Sequence, residues 1–189
     1  MIGQITFLNE WLIAFLVNLF LITFGQRFSL LTKSGWIHAG VLGTVLWGCL
    51  GWQGWLSVVF YLLLGYLVTK IGFKNKEARG LAESRGGKRG PENVWGSAAT
   101  GCFLAVVSEF WVDSHLLILV GFAASFSAKL ADTFGSEIGK RWGKRTYLIS
   151  TLEPVPIGTD GAISIEGTIA SILGSFLMSF VMATLYFLP

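Results

Sequence analysis

The chain has 189 residues, of which 53% are hydrophobic and 13% charged, with 8 Trp and 15 Phe. So apolar a composition excludes an ordinary soluble domain, a disordered linker or a collagen-like repeat, and 2 Cys are too few for a disulfide scaffold. The 14 Lys and Arg against 11 Asp and Glu leave a net charge of +3, too slight to argue for a nucleic-acid partner, so the placement of the charges has to decide.

A bilayer core about 30 Å thick takes roughly 20 apolar residues per helix. In chain order the apolar runs nearly free of charge are Ile5–Phe24, Trp36–Leu50, Gly54–Ile71, Val94–Phe110, Leu116–Phe134 and Ile163–Leu188. They predict an all-α polytopic membrane helix bundle of about six transmembrane helices, a single transmembrane domain over residues 1–189. The first run lacks a basic leader and a small-residue cleavage site, which reads as a retained helix rather than a signal peptide.

The basic residues fall into three connections. Arg27 and Lys33 follow the first span; Lys70, Lys74, Lys76, Arg79, Arg85, Lys88 and Arg89 follow the third; Lys129, Lys140, Arg141, Lys144 and Arg145 lie at or after the end of the fifth. If the helices alternate, these all share one side, and the side with Gln4, Glu10, Gln53, Glu109 and Asp113 has no Lys or Arg. The positive-inside rule then makes the basic loops cytosolic and the N-terminus external. Trp11, Trp52, Trp55 and Trp111 fit the outer interfacial belt, and Trp36, Trp95 and Trp142 the inner one.

Polar chemistry concentrates in two of these loops and in the span between them. A basic loop such as 72–93 is by itself drawn to anionic lipid. Here, however, Arg85-Gly86-Gly87-Lys88-Arg89-Gly90 combines cations with residues that let backbone N–H groups converge on an anion, and Pro91 marks a helix start whose positive end points the same way. It is not a Walker A loop, because Arg89 rather than Ser or Thr follows Lys88. In the fifth span Ser125, Lys129, Asp132, Ser136 and Lys140 share one helix face by their three- and four-residue spacing. An ionised group at that depth costs about 3 kcal/mol unless paired or wetted. Lys129 and Asp132 therefore read either as a functional pair or as a structural ion pair, and Glu137, off that face, is expected to pair with Arg141 or turn to the following loop. That loop, Tyr147 to Ser164, is kept from helix by Pro154 and Pro156 and carries a turn at Gly158-Thr159-Asp160-Gly161. Asp132, Asp160 and Glu166 are expected at one level, an oxygen set suited to Mg²⁺ with a polyphosphate.

The remaining polar residues have structural readings. Gly40, Thr44 and Gly48, and Ser164, Thr168, Ser171 and Ser175, repeat at packing intervals. Asn93, Ser97 and Thr100 continue a polar face into the fourth span. His38, His115, Cys49 and Cys102 have no neighbours at metal-ligand spacing.

Three segments stand in an order that resembles a known family: Ala78-Arg79-Gly80 with Glu83, Arg85-Gly86-Gly87 and Asn93; Ala131-Asp132-Thr133 with Ser136-Glu137-Ile138-Gly139; and Pro154-Val155-Pro156 with Gly158-Thr159, Gly161, Ser164 and Gly167-Thr168. It is the integral-membrane family that includes human transmembrane protein nineteen and the plant phytyl-phosphate kinase of vitamin E synthesis. The resemblance runs from about Tyr66 to Ser171, with a more distant one to CTP-dependent dolichol and phytol kinases. The chain departs from the family pattern at Ala162, where relatives commonly show a second Gly, and at Asp160, where many show Asn. Relatives also continue beyond the last span, so part of the pocket is expected outside this chain.

The resemblance implies a Mg²⁺-dependent kinase of tocopherol biosynthesis that moves a phosphoryl group from CTP or ATP to phytyl phosphate or a similar prenyl monophosphate. Its partners would be the nucleoside triphosphate, the prenyl phosphate lipid and the membrane, with homo-oligomerisation open. It would sit in a bacterial inner or thylakoid-type membrane, its site on the cytosolic face. On this reading Asp132, Lys129 and Glu137 are catalytic, and Asp132, Asp160 and Glu137 are the metal ligands. Arg79, Glu83, Arg85, Gly86, Gly87, Lys88, Asn93, Ser136, Lys140, Gly158, Thr159, Gly161 and Ser164 bind nucleotide or phosphate. Two other functions stay open. A prenol kinase would use Asp132 or Glu137 as base for an alcohol, and a lipid transporter would call for inverted repeats, of which the sequence has no convincing sign.

Overall fold

The structure, a computed structural model, describes residues 2–186, with side chains from Leu8 onward. The side chain of Gln4 and the last residues of the sixth expected span lie outside what is described. The chain is an all-α membrane helix bundle: α1 (Ile2–Gly25), α2 (Lys33–Lys70), the short α3 (Phe73–Ala78), α4 (Pro91–Ser108), α5 (His115–Trp142) and α6 (Ile165–Tyr186), with a two-residue strand pair, β1 (Tyr147–Leu148) and β2 (Ala162–Ile163). Among the described residues, four stretches are long and apolar enough to cross a membrane, Leu8–Gly25, Lys33–Lys70, Val112–Trp142 and Ile165–Tyr186. Their outward side chains are those that hydrocarbon rather than water solvates, among them Phe15, Leu67, Leu117, Leu173 and Phe176.

The second and third expected spans are one continuous helical element that doubles back. Gly51 interrupts it at φ 69°, ψ −172°, a region essentially reserved for glycine. Eight residues along a straight helix span about 12 Å, yet the rings of Trp47 and Trp55 lie 5.3 Å apart. The chain thus reverses direction at Gly51, and each limb, 33–50 and 52–70, is about 27 Å long and close to the thickness of a bilayer core.

The contacts divide the chain into two compact units. The first holds residues up to Phe60, 88–126 and those from Val181 on. Within it α1 meets α2 at small residues. Asn18, 4% exposed, donates to the Ala14 carbonyl and accepts from Trp55 Nε1 at 3.2 Å, and a Cβ on Gly43 would stand 2.5 Å from the Asn18 Oδ1 atom. Trp47 Nε1 donates to Glu10, and Trp95 Nε1 to His38 Nδ1. The basic segment is stapled to the start of α2 by Arg89 N–H to Leu30 and Thr32 N–H to Arg89.

The second unit, Tyr61–Gly87 and Ser127–Phe180, contains the end of α2, α3, the C-terminal half of α5, the strand pair and most of α6. Its centre is the α5–α6 crossing. Gly135, Gly139 and Gly143 repeat every fourth residue, and Ser164, Gly167 and Ser171 face them. A Cβ on Gly167 would stand 2.8 Å from the Gly135 carbonyl oxygen, and one on Gly174 would stand 2.9 Å from that of Leu130. Backbones this close are the membrane form of small-residue packing.

Candidate functional site

A cleft of about 440 Å³ opens on one face of that crossing. From α5 it is lined by Asp132, Gly135, Ser136, Gly139 and Lys140, from the loop by Gly158, Thr159, Asp160 and Gly161, and from α6 by Ser164, Gly167 and Thr168. Residues distant in sequence therefore meet because glycine lets the two helices approach. The loop is held over them by the register Tyr147↔Ile163 and Leu148↔Ala162. It is held further by Val155 N–H to Thr146 and Ile149 N–H to Gly161, and by the Thr146 hydroxyl bond to the Val155 carbonyl. Gly158 (φ 91°) and Gly161 (φ 76°) make its turns, and the Thr159 hydroxyl donates to Pro156 at 2.8 Å.

The chemistry of this cleft is that of an anion site with acidic edges. Ser164 precedes α6 and its hydroxyl accepts from Gly167 N–H at 3.1 Å, a helix cap, so the positive end of α6 faces the cleft. Lys140 adds an ammonium group on the α5 side. Asp132 pairs with Lys129 at 3.1 Å, their side chains 67% and 38% exposed. So open a pair contributes at most about 1 kcal/mol to stability, and Asp132 opens on the cleft.

The other expected site residues are placed elsewhere. Glu137 is buried and ion-paired with Lys76, not with Arg141, and does not line the cleft. Arg141 reaches Asn75 instead. Glu83 pairs with Lys140 at 3.3 Å, and Arg79 Nη1 donates to the Lys140 carbonyl at 3.3 Å, which brings both to the edge of the site. Arg85, Gly86 and Gly87 form a turn of three residues with positive φ, where Lys70 Nζ donates to the Gly86 carbonyl at 2.9 Å. Lys88 and Asn93 belong to the first unit, and Asn93 caps α4 by accepting from Gly90 N–H at 3.0 Å.

The expected oxygen triad is not assembled. Glu166 lies with Phe134, Ile138 and Leu173 in an apolar groove of about 330 Å³ on the other face of the helix pair, because it is two positions from Ser164 and one from Gly167 on a 3.6-residue helix. No group of three or more His, Cys, Asp or Glu side chains that could hold a metal occurs among the described residues. Asp132 and Asp160 do line one cleft beside the Ser136, Thr159 and Ser164 hydroxyls. That donor set fits Mg²⁺, which binds through one or two carboxylates and takes its other ligands from water and substrate phosphate. Sequence reasoning missed Lys76, which looks like its loop neighbours, and the Gly135-Gly139-Gly143 repeat, which was there to be read.

Comparison with known proteins agrees with this architecture. The chain is 51% identical over 163 residues to an uncharacterized membrane protein of Synechocystis, covering 85% of this chain and 63% of the relative. It is 45% identical over 152 residues to the chloroplastic protein VTE6 of Arabidopsis thaliana, covering 79% and 46%. It is 32% identical over 148 residues to an uncharacterized membrane protein of Methanocaldococcus jannaschii, covering 78% and 60%. The chain thus spans less than two thirds of the length of each of these relatives. No solved structure matches it. The model of the family described as integral membrane protein DUF92 matches residues 16–188, and the chain belongs to that family.

Proposed function

We propose that the protein is a membrane prenyl-phosphate kinase, transferring the terminal phosphoryl group of CTP or ATP to phytyl phosphate or a similar prenyl monophosphate, to give the prenyl diphosphate and release the nucleoside diphosphate. The observation that carries this reading is the cleft at the N-terminus of α6, lined by Lys140, by hydroxyls that include those of Ser136, Thr159 and Ser164, and by the carboxylates of Asp132 and Asp160. The likeness to the chloroplastic VTE6 protein, and the resemblance to the phytyl-phosphate kinase family, support the choice of substrate. We place the cleft on the cytosolic side on the strength of the basic loops, in a bacterial inner or thylakoid-type membrane.

The chemistry asks little of a base. A phosphate monoester with a second pKa near 6 is mostly dianionic at neutral pH, so the acceptor oxygen is already a nucleophile. The difficulty is to bring two anions together in line. Lys140 and the α6 N-terminus neutralise phosphate oxygens, the Ser136, Thr159 and Ser164 hydroxyls orient them, and Lys129 holds Asp132 beside them. Mg²⁺ would be held by Asp132 and Asp160, where it would supply charge neutralisation to the triphosphate. Glu137, sealed against Lys76, takes no direct part. An alcohol acceptor would need a base, and of the two carboxylates considered for that role only Asp132 opens on the cleft.

The test is transfer of label from CTP or ATP, with Mg²⁺, to phytyl phosphate and to phytol by the detergent-purified protein. Diphosphate formed from phytyl phosphate alone is the expected result. Transfer to phytol would make the protein a prenol kinase, and no transfer to either lipid would refute the kinase reading.

A further inference from the structure

Lys140 is the one cleft-lining ammonium group among the described residues, and two carboxylates compete for it. Glu83 Oε1 lies 3.3 Å from its Nζ, and Glu137 Oε1 lies 4.0 Å away. The two competitors differ in kind. Glu83 sits on an exposed loop, its side chain 45% exposed, so water screens it and an incoming anion can displace it. Glu137 is 2% exposed, and an uncompensated buried carboxylate would hold any cation within reach. What compensates it is Lys76. That side chain is wholly buried, donates to the Thr69 carbonyl at 2.9 Å and is ion-paired with the other Glu137 oxygen. A buried lysine needs a strong reason to be there, because its desolvation is costly, and the exposed cations of the same loop have no such constraint.

The structure assigns Lys76 the part of a positioning residue: by neutralising Glu137 it leaves the charge of Lys140 free for an anion in the cleft. Glu137 is thus a relay between a cation that never meets the ligand and one that does. This inference rests on the reading of the cleft as a phosphate site. Its electrostatic core concerns this chain's residues alone and can be measured without any ligand. With Lys76 gone, Glu137 turns to the nearest cation, Lys140 on the next turn of the same helix, and draws it inward. With Glu137 neutral, Lys140 is released.

The test reads the reactivity of Lys140 toward a water-soluble amine-acylating reagent in the detergent-purified full chain, by peptide mass spectrometry. Glu137→Gln raises Lys140 labelling, Lys76→Met lowers it, each by about two- to threefold, and the Lys76→Met/Glu137→Met double variant returns it to the native level or above. The opposite signs of the two single variants are what a merely structural pair would not give, because loosening of the fold raises the labelling of a partly covered lysine such as Lys140 in both. Should Lys76→Met fail to fold, Glu137→Gln and the double variant carry the test. Unchanged Lys140 labelling in Glu137→Gln, labelling of the double variant below the native level, or a shift of the same sign in both single variants, overturns the inference. Protection of native Lys140 by inorganic pyrophosphate tests the phosphate reading separately. If the variants shift labelling as expected but pyrophosphate gives no protection, the phosphate site is refuted and the linkage from Lys76 to Lys140 stands.

Discussion

Gly135 and Gly167 set the distance between α5 and α6: a Cβ on Gly167 would stand 2.8 Å from the Gly135 carbonyl oxygen and 3.5 Å from Gly139 Cα. The obstacle is backbone, which cannot swing aside as a side-chain tip can. Every residue that lines the cleft from these two helices takes its place from this crossing. A shift of 1 Å between them would separate Asp132 and Ser136 on one side from Ser164 and Thr168 on the other.

Gly167→Ala should therefore destabilise the protein by about 1–3 kcal/mol, the usual cost of overpacking a closed contact. It should also lower activity beyond the loss of folded protein. Thermal unfolding in detergent, together with rates normalised to folded protein, checks both. Gly96, whose Cβ would meet nothing within 4 Å, is the control: Gly96→Ala, in the exposed stretch of α4, should leave stability unchanged or raise it.

Gly51 is the second glycine whose identity the backbone dictates. At φ 69° and ψ −172° an alanine would be strained by roughly 1–3 kcal/mol. Gly51→Ala should lower the melting temperature without changing the affinity of the remaining folded molecules for nucleotide. The reversal brings Trp47 against Trp55, so a red shift in tryptophan emission of the variant would report the opened turn.

Much of this arrangement was legible in the sequence, and for identifiable reasons. Long apolar runs announced membrane helices, and Pro154 and Pro156 announced the loop that roofs the cleft. The alignment of Asp132, Ser136 and Lys140 on one face followed from helical spacing alone. What spacing could not reveal was which of many loop lysines is buried. Lys74 and Lys76 differ by two positions, and only the packing of α3 against α5 turns one to solvent and the other onto Glu137. Glu166 was misplaced for a related reason: sharing a level along the membrane normal says nothing about which side of a helix a residue occupies.

The buried pair predicts a strong non-additivity. Lys76→Met alone leaves Glu137 charged and buried, which typically costs about 3–5 kcal/mol, whereas replacing both partners with apolar residues of similar volume is often close to neutral. A double-variant cycle in chemical or thermal unfolding should thus show the Lys76→Met/Glu137→Met protein more stable than Lys76→Met. Additive losses would mean that the pair contributes through packing rather than charge.

The exposed pair predicts the opposite balance between stability and activity. Lys129 and Asp132 are both exposed on α5 and contribute little to folding, so Asp132→Asn should change unfolding by less than about 1 kcal/mol. If Asp132 holds the metal, the same change should cut phosphoryl transfer by more than the 10–100-fold typical of an outer-sphere partner and raise the Mg²⁺ concentration needed for half-maximal rate. Lys129→Met removes the partner and leaves the carboxylate, so its loss should be smaller, on the order of 10-fold, with the Mg²⁺ requirement unchanged. Asp160→Asn separates the two ligands. Asn keeps an oxygen donor and loses the charge, so an effect on Mg²⁺ affinity alone, with the maximal rate retained at saturating metal, is expected. Equal maximal rates for native protein and Asp132→Asn would remove Asp132 from the reaction and leave Lys140 and the α6 N-terminus as a phosphate-binding site without the metal.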